Sequence, residues 1–482
     1  MRGAVRGARQ AARPGYDSGM REQPTRQQLI GFRLRGHGLQ GPRLAGIAGG
    51  SATAVNPSQA REHAAAAGPA AVGEHAASQA SEHAAAAGPT AAGEHAALIA
   101  AAARCGVQNS PPGSAILALH ARAGGVTREA FTAAITDEHT LLQTWSLRGA
   151  PYIFPTADAA LYTAGVLPPT EAAGRRFLPG VVPALDALGL TLEAASDLVQ
   201  AEIADVLAGR ALDIHELGHE IAPLIAARLT DTQRAHWNSE GPHAPGQSIG
   251  EAVVHFCMRI VTLRGVACIA PREERRARFV LVSEFLGDAL PGWPAGPAGP
   301  AEAARAELLR RYLRCYGPAT RASFAAWLGV GAGDASAWWD LLEDELAPVE
   351  LPAGGNAGEA WLLAADLPAL AAADLPQRSA AQPDMRLLPP GDPYLRAWDR
   401  DTIVAPAEQG ALWRNVGGPG ALLIDGEVRG TWRPSKRGST LTVKVTPFAA
   451  LSVAQREAVA AEVELIAPLR GATRSDTVFQ PA

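Results

Sequence analysis

The same run of local signals occurs three times along this chain, and no other feature restricts its fold as strongly. SAILALHARAGG (114–125) has helical spacing, TREAFTAAI (127–135) starts a second helix with Thr127 as N-cap, and TLLQTWSLRGAPYIF (140–154) is rich in β-formers. LEAASDLVQAEIADVLAG (192–209) is a helix ended by Gly209, DIHELGHEIAPLIAARL (213–229) is a second helix capped by Asp213, and SIGEAVVHFCMRIVTLRGVACIA (248–270) is a helix that runs into a β-like segment. EAARAELLRRYLRCYG (302–317), TRASFAAWLGV (320–330) and DASAWWDLLEDEL (334–346) give three helices, with Trp338 and Leu342 on the inner side. Two β-runs, APVEL (347–351) and EAWLLAA (359–365), follow and are joined by the Gly-rich PAGGNAG. Three short helices ending in a β-ribbon describe a winged helix.

The tail is richer in strand signals. ALLIDGEVRGTWRPSKRGSTLTVKVTPF (421–448) reads as a hairpin in which Leu441, Val443 and Val445 alternate with Thr442, Lys444 and Thr446. SVAQREAVAAEVELIAPL (452–469) closes the chain as a helix. The expected fold class is α+β and predominantly helical, with tandem winged-helix units and a β-rich C-terminal region. The expected divisions are a helical segment at 20–49, winged-helix units at 98–180, 181–290 and 300–366, and the hairpin-and-helix region at 380–482. Leu29, Phe32 and Leu34 give the first segment an apolar side. Residues 1–19 read as a disordered or spurious extension upstream of Met20. Residues 50–97 read as an inserted low-complexity linker: EHAAAAGP begins at Glu62 and again at Glu82, and GEHAA at Gly73 and again at Gly93. Two copies are too few to stack as a solenoid, and Gly-Pro pairs interrupt any alanine helix.

Charge and cysteine usage narrow the function. The net charge of −5 supplies no field for a polyanion, so nucleic acid would have to meet a local basic patch. No run is long and apolar enough to cross a membrane, and no secretory h-region opens the chain. Cys105, Cys257, Cys268 and Cys315 are scattered, without C-x-x-C pairs. That spacing argues against a cysteine-based zinc site or a disulfide framework and for a reducing cytoplasm. No cofactor, no obligatory metal and a monomeric state are expected.

Two motifs advertise other chemistry. His215-Glu216-Leu217-Gly218-His219 matches the H-E-x-x-H pattern of zinc peptidases. A zinc site needs a third ligand, and the following EIAPLIAAR offers none at the usual spacing; Glu251 is the nearest candidate. Ile214, Leu217 and Ile221 instead give this helix one buried side, with the two histidines on its flank. GQSIG (246–250) matches G-x-S-x-G, but no apolar strand leads into Ser248, which reads as an N-cap with Glu251 completing a capping box. GVGAG (329–333) reads as the turn between two helices.

Five stretches carry a resemblance. GVQNSPPGSAILALHAR (106–122), QTWSLRGAPYIFPTAD (143–158), LLRRYLRCYGPATRASFAAWLG (308–329), MRLLPPGDPYLRAWDRDTI (385–403) and LLIDGEVRGTWR (422–433) are together similar to the bacterial winged-helix DNA-binding proteins of the AlkZ-like group. The resemblance implies tandem winged helices curved around a groove for double-stranded DNA. It also implies a monofunctional glycosylase that excises alkylated bases and unhooks interstrand cross-links. The family's motif of Gln, an apolar residue, then Gln or Asp falls on Gln108-Asn109-Ser110. Gln108 matches; Asn109 is polar and Ser110 is neither Gln nor Asp. Gln108 and Ser110 are the catalytic candidates. A glycosylase must hold a water near the anomeric carbon, a task carboxylates perform in glycosidases, and a serine hydroxyl is a shorter and less basic group for it. The functional alternative is a catalytically inert winged-helix DNA binder or transcriptional regulator. On the residues alone, GVQNSPPGS is a capped loop with Ser114 as N-cap.

Candidate DNA contacts follow from charge. Helix 334–346 is acidic and repels phosphate. Arg429, Arg433, Lys436 and Arg437 crowd the hairpin around Trp432, an arrangement suited to probing a groove or stacking on a displaced base, or else to a solvated turn with a core tryptophan. Asn109 and Arg148 are the candidates beside the Gln108 loop. PREERRARF (271–279) reads as a solvated helix face.

Overall fold

The computed structural model describes residues 23–44, 91–271, 276–288, 290, 299–352, 360–376, 382–414 and 417–481. The extension at 1–19, most of the repeat and the PAGGNAG loop beyond Pro352 lie outside the described residues.

The first repeat of the pattern is built from α2 (Ala91–Ala103), β1 (Val107–Gln108), α3 (Ser114–His120), α4 (Arg128–Thr136), β2 (Leu141–Trp145) and β3 (Pro151–Pro155), preceded by α1 (Arg26–Gly36). Helix α2 starts inside the stretch read as linker, and the second GEHAA copy is part of it, with His95 facing Glu138 at 3.0 Å. Its strands order β1-β3-β2, all antiparallel. The second repeat is α5 (Leu192–Leu207), β4 (Leu212–Asp213), α6 (Ile214–Ala226), α7 (Ile249–Leu263), β5 (Ala267–Ile269) and β6 (Arg278–Leu281), with the same first-third-second order, β4-β6-β5. The described end of PREERRARF is thus a sheet strand, not a helix face. The third repeat is α8 (Gly299–Tyr316), α9 (Arg321–Leu328), α10 (Ser336–Trp339), β7 (Leu346–Val349) and β8 (Ala360–Leu363), with a single bridge from Ala319 to Trp361 in place of a first strand. Helix α10 is far shorter than its acidic sequence suggests. Trp338 and Leu342 are buried as expected, and the remainder tightens into 3-10 geometry.

Local capping chemistry set most of these starts. The side chains of Thr127, Asp213 and Ser248 each accept a backbone N–H of the following turn, and Glu216 and Glu251 complete capping boxes. Helix α1 has no apolar side: Leu29 to Leu34 are all buried, including Arg33 at 1% exposure. Arg33 reaches Asp399 with two hydrogen bonds of 2.9 and 2.8 Å.

The C-terminal hairpin is the middle of a larger sheet. Strands β9 (Met385–Leu388), β10 (Gly420–Ile424), β11 (Glu427–Arg437), β12 (Thr440–Pro447) and β13 (Arg474–Phe479) order β13-β12-β11-β10-β9, with helix α11 (Val453–Leu469) packed on the sheet. The chain does not close on α11: β13 returns parallel to β12, and α11 serves as the crossover between them. Leu441, Val443 and Val445 are fully buried, as their alternation predicts.

This sheet is tied to the first repeat through a buried ion pair. Arg122 donates to both carboxylate oxygens of Asp392 at 2.8 Å, to Ala118 O at 2.7 Å and to His37 O at 2.8 Å. Both side chains are within 1% of full burial. Replacing Asp392 by Ala strands the Arg122 cation in the core, and we expect chemical denaturation to register a loss of about 3–5 kcal/mol. A loss below about 1 kcal/mol would mean that water reaches Arg122.

Candidate DNA-processing site

Gln108 ends β1, where it pairs with Tyr152 of β3. Its side chain is 9% exposed, and Oε1 accepts a 2.7 Å hydrogen bond from Nη2 of Arg396. Its amide nitrogen turns back toward Ser110 O at 3.4 Å. Arg396 was not among the residues singled out from the sequence, although it lies in the MRLLPPGDPYLRAWDRDTI stretch. Its arrival follows from the Asp392 turn: Asp392 Oδ1 also accepts from Tyr394 N at 2.9 Å and so fixes the loop that carries Arg396. Gly391, in the left-handed region at φ 81°, lets that loop pass close: a Cβ there would lie 3.1 Å from Ser110 O and 3.3 Å from Arg396 Nη2.

Ser110 is exposed at the mouth of the loop. Asn109 is not placed to read DNA. It is 8% exposed, its amide nitrogen donates to Gln143 Oε1 at 2.9 Å, and its oxygen accepts from Gly113 N at 2.9 Å and Ala115 N at 3.5 Å. Asn109 therefore performs the helix-start capping expected of Ser114, which is instead the first helical residue of α3. Its commitment explains why a polar residue occupies this position: the loop needs its hydrogen bonds more than it needs apolar area.

Cations without carboxylate partners lie beside this loop and at the neighbouring β2–β3 turn. Among the described residues, Arg148, Arg259 and Arg396 form no ion pair. Arg148, at φ 54°, donates to Trp327 O at 2.6 Å and to the Tyr152 hydroxyl at 3.3 Å. Arg259 lies over the Trp145 ring at 4.5 Å and is also in contact range of Gly149. Burial lowers the Arg396 guanidinium below its ordinary value, with nearby Arg148 and Arg400 adding like charge against the opposing Tyr152. Burial likewise lowers Arg259. Desolvated guanidiniums without counter-anions are a receptive environment for phosphate.

The hairpin cations divide. Arg433, Lys436 and Arg437 are exposed near the β11–β12 turn. The Lys436 ammonium and the Arg128 guanidinium converge on Gly471, and the adjacent Arg470 donates to Pro112 O in the Gln108 loop at 3.3 Å. The hairpin tip thus stands beside the candidate site. Arg429 sits near the opposite end of β11, about 26 Å of strand from Arg437, and is paired with Glu427 at 2.9 Å. Trp432 is a core residue at 1% exposure, its indole donating to Leu388 O at 2.8 Å and packing against Gly420. Stacking on a base would tear it from the sheet, so of the two readings of Trp432 the core tryptophan is the one the structure supports.

The H-E-x-x-H stretch does not assemble as a peptidase site. Glu216 accepts from Asp213 N at 2.7 Å and is occupied as a capping residue. His215 and His219 are exposed on α6, with His219 3.6 Å from Glu251, itself a capping residue. Leu217 and Ile221 are fully buried, as the helical spacing required. His255 of α7 faces His215 edge-on at 5.1 Å. Burial, then the like charges of His215 and Arg259, depress the His255 pKa to about 4.

Comparison with known proteins places the chain in a family. The family model described as "DNA glycosylase AlkZ-like" matches residues 101–469. An interstrand DNA cross-link repair glycosylase of Streptomyces sahachiroi is 26% identical over 381 residues, covering 77% of this chain and 90% of that protein. The solved structure of the Streptomyces sahachiroi DNA glycosylase AlkZ superposes with a TM-score of 0.61 at 20% identity, covering 95% of this chain and all of that one.

Two outcomes follow from the side-chain placements. Trp432→Ala should lower stability by about 3–5 kcal/mol, whereas Trp432→Phe should retain duplex binding; lost binding in a folded Phe variant would restore the stacking role. Because the native state holds His255 neutral, stability should be constant above about pH 6.5 and fall as pH drops from there to about 4, where the unfolded chain alone takes up the proton. Denaturation midpoints across that window should decline less in His255→Gln than in the parent.

Proposed function

Since the chain belongs to the AlkZ-like DNA glycosylase family, we propose that it is a DNA-repair glycosylase that binds damaged duplex and hydrolyses the N-glycosidic bond of alkylated bases, including those in interstrand cross-links. The observation that carries this reading is the buried Gln108 carboxamide, anchored by Arg396, with Arg148, which has no carboxylate partner, on its strand neighbour Tyr152. We also assign the three repeats as tandem winged helices, on the strength of their shared helix order and first-third-second strand order. Of their third helices, α7 is buried along most of its length and α10 sinks both tryptophans into the core. Helix α4 buries only Ala134 and Ile135, and its first residue, Arg128, joins Lys436 and Arg470. The first repeat is therefore the one that faces DNA, with Arg148, Arg433, Lys436 and Arg437 as phosphate or groove contacts.

The chemistry asks little of the protein. An alkylated purine is cationic and departs as a neutral base, so no general acid is required. The glycosidic electron pair leaves with the base, the sugar becomes oxocarbenium-like, and a water adds at the anomeric carbon and releases a proton. Arg396 takes one acceptor direction of Gln108 Oε1 and fixes the other toward the site, where it positions that water. The exposed Ser110 hydroxyl supplies a second, weaker contact. Desolvated guanidiniums hold the flanking phosphates without reorganising.

Base release from an alkylated duplex tests the proposal. Gln108→Ala should reduce release about 10²-fold or more with duplex binding retained. Binding with no release by the parent protein would establish the inert-binder alternative. Removing Lys436 and Arg437 together should make the log–log salt slope of duplex binding shallower by about 2; an unchanged slope would move the DNA path away from the hairpin.

A further inference from the structure

The buried histidine and cysteines that converge in the fold are not the residues the sequence advertises. His37 follows α1 as its C-cap, Cys105 lies between α2 and β1, and Cys315 is in the last turn of α8. Their ligand atoms lie within 4.8 Å of one another, and all three residues are buried, at 0%, 4% and 1% exposure. His37 Nδ1 is 3.4 Å from Cys105 Sγ. Donors around one zinc, at about 2.3 Å for sulfur and 2.0 Å for nitrogen, stand roughly 3.5–3.8 Å apart in a tetrahedron, so the cluster is close to ligand spacing already.

We propose that His37, Cys105 and Cys315 bind one soft d10 metal ion, zinc or copper(I), as a structural site. Two thiols and one imidazole are the donor set that selects such ions over magnesium or calcium. His37 Nε2 is buried and has no hydrogen-bond partner among the described residues, and the ring is perpendicular to those of Tyr316 and Tyr394 at 4.8 and 5.6 Å. The Nδ1 side of the ring, 3.4 Å from Cys105 Sγ, is the side that meets the thiols. Zinc with two thiolates is neutral overall, which suits a buried centre. Gly36 O and Arg104 O, each 3.6 Å from Cys315 Sγ, are the nearest oxygens for a fourth position; copper(I) would need only the three. Such an ion would clamp α1, the first repeat and the third repeat at one point, next to the backbone of His37 that Arg122 also grips.

The test uses the full chain, stripped with a chelator under reducing, anaerobic conditions, then titrated separately with zinc and copper(I). Uptake of about one equivalent of either ion, with an apparent Tm raised by several degrees, is expected. Cys105→Ser with Cys315→Ser should abolish both, and Cys268→Ala, which removes a buried thiol outside the cluster, should abolish neither. Cobalt(II) added to the unsubstituted apoprotein should give the intense thiolate charge-transfer bands of a tetrahedral site, so the proposal does not depend on any variant folding. Substoichiometric uptake of both ions, cobalt spectra without thiolate bands, or a Cys105–Cys315 disulfide in the reduced preparation would overturn it. None of these readouts involves base release, so the outcome is independent of the glycosylase reading.

Discussion

The Arg122–Asp392 pair governs the rest of the molecule. It joins the end of α3 to a turn that lies 270 residues further along the chain, and it does so where water cannot screen either charge. A guanidinium there is tolerable only because two carboxylate oxygens and two carbonyls take up its hydrogens. Once Asp392 is held, the turn from Gly391 to Arg396 has one position, and that position presents Arg396 to Gln108. A structural ion pair and a candidate catalytic contact are thus four residues apart on the same loop, and the second depends on the first.

The distribution of paired and unpaired arginines distinguishes scaffold from surface. Arg33, Arg122, Arg175, Arg176 and Arg311 are bound by carboxylates and fasten elements together. Arg148, Arg259 and Arg396 are held by carbonyl, hydroxyl, amide or aromatic groups; Arg396 meets Gln108 itself, Arg148 its strand partner Tyr152, and Arg259 the β2–β3 turn. A chain of net charge −5 achieves a cationic locale in this way, by withholding acids from one place and not by accumulating bases overall.

Much of the fold is legible in the sequence because it is written in short-range rules. The caps at Thr127, Asp213 and Ser248, the alternation of Leu441, Val443 and Val445, and the threefold recurrence of helices followed by strands all act within a few residues. The misreadings share one cause, a tertiary contact that redirects a local preference. Ser114 yields its capping role to Asn109, which the loop folds onto it. At Trp432, where the sequence left a stacking and a core role open, the core role holds because Leu388 O receives its indole. The tail does not stop at α11, because the open edge of β12 accepts β13. The Gln108 loop was found through resemblance, and its polar Asn109 is explained only by the hydrogen bonds it makes.

By itself, the sequence determined the element order, the helix starts, the buried stripes and the absence of any cysteine spacing that signals metal. Tertiary structure alone decided that Gln108 meets Arg396, 288 residues away, and that Cys105 meets His37 across 68 residues and lies beside Cys315. Hydrogen-bond caps and side-chain periodicity are set by neighbours within a turn or two and so leave a pattern in the string. A site assembled by buried charges and thiols from distant segments leaves none, because the contacts that create it exist only after the chain has folded.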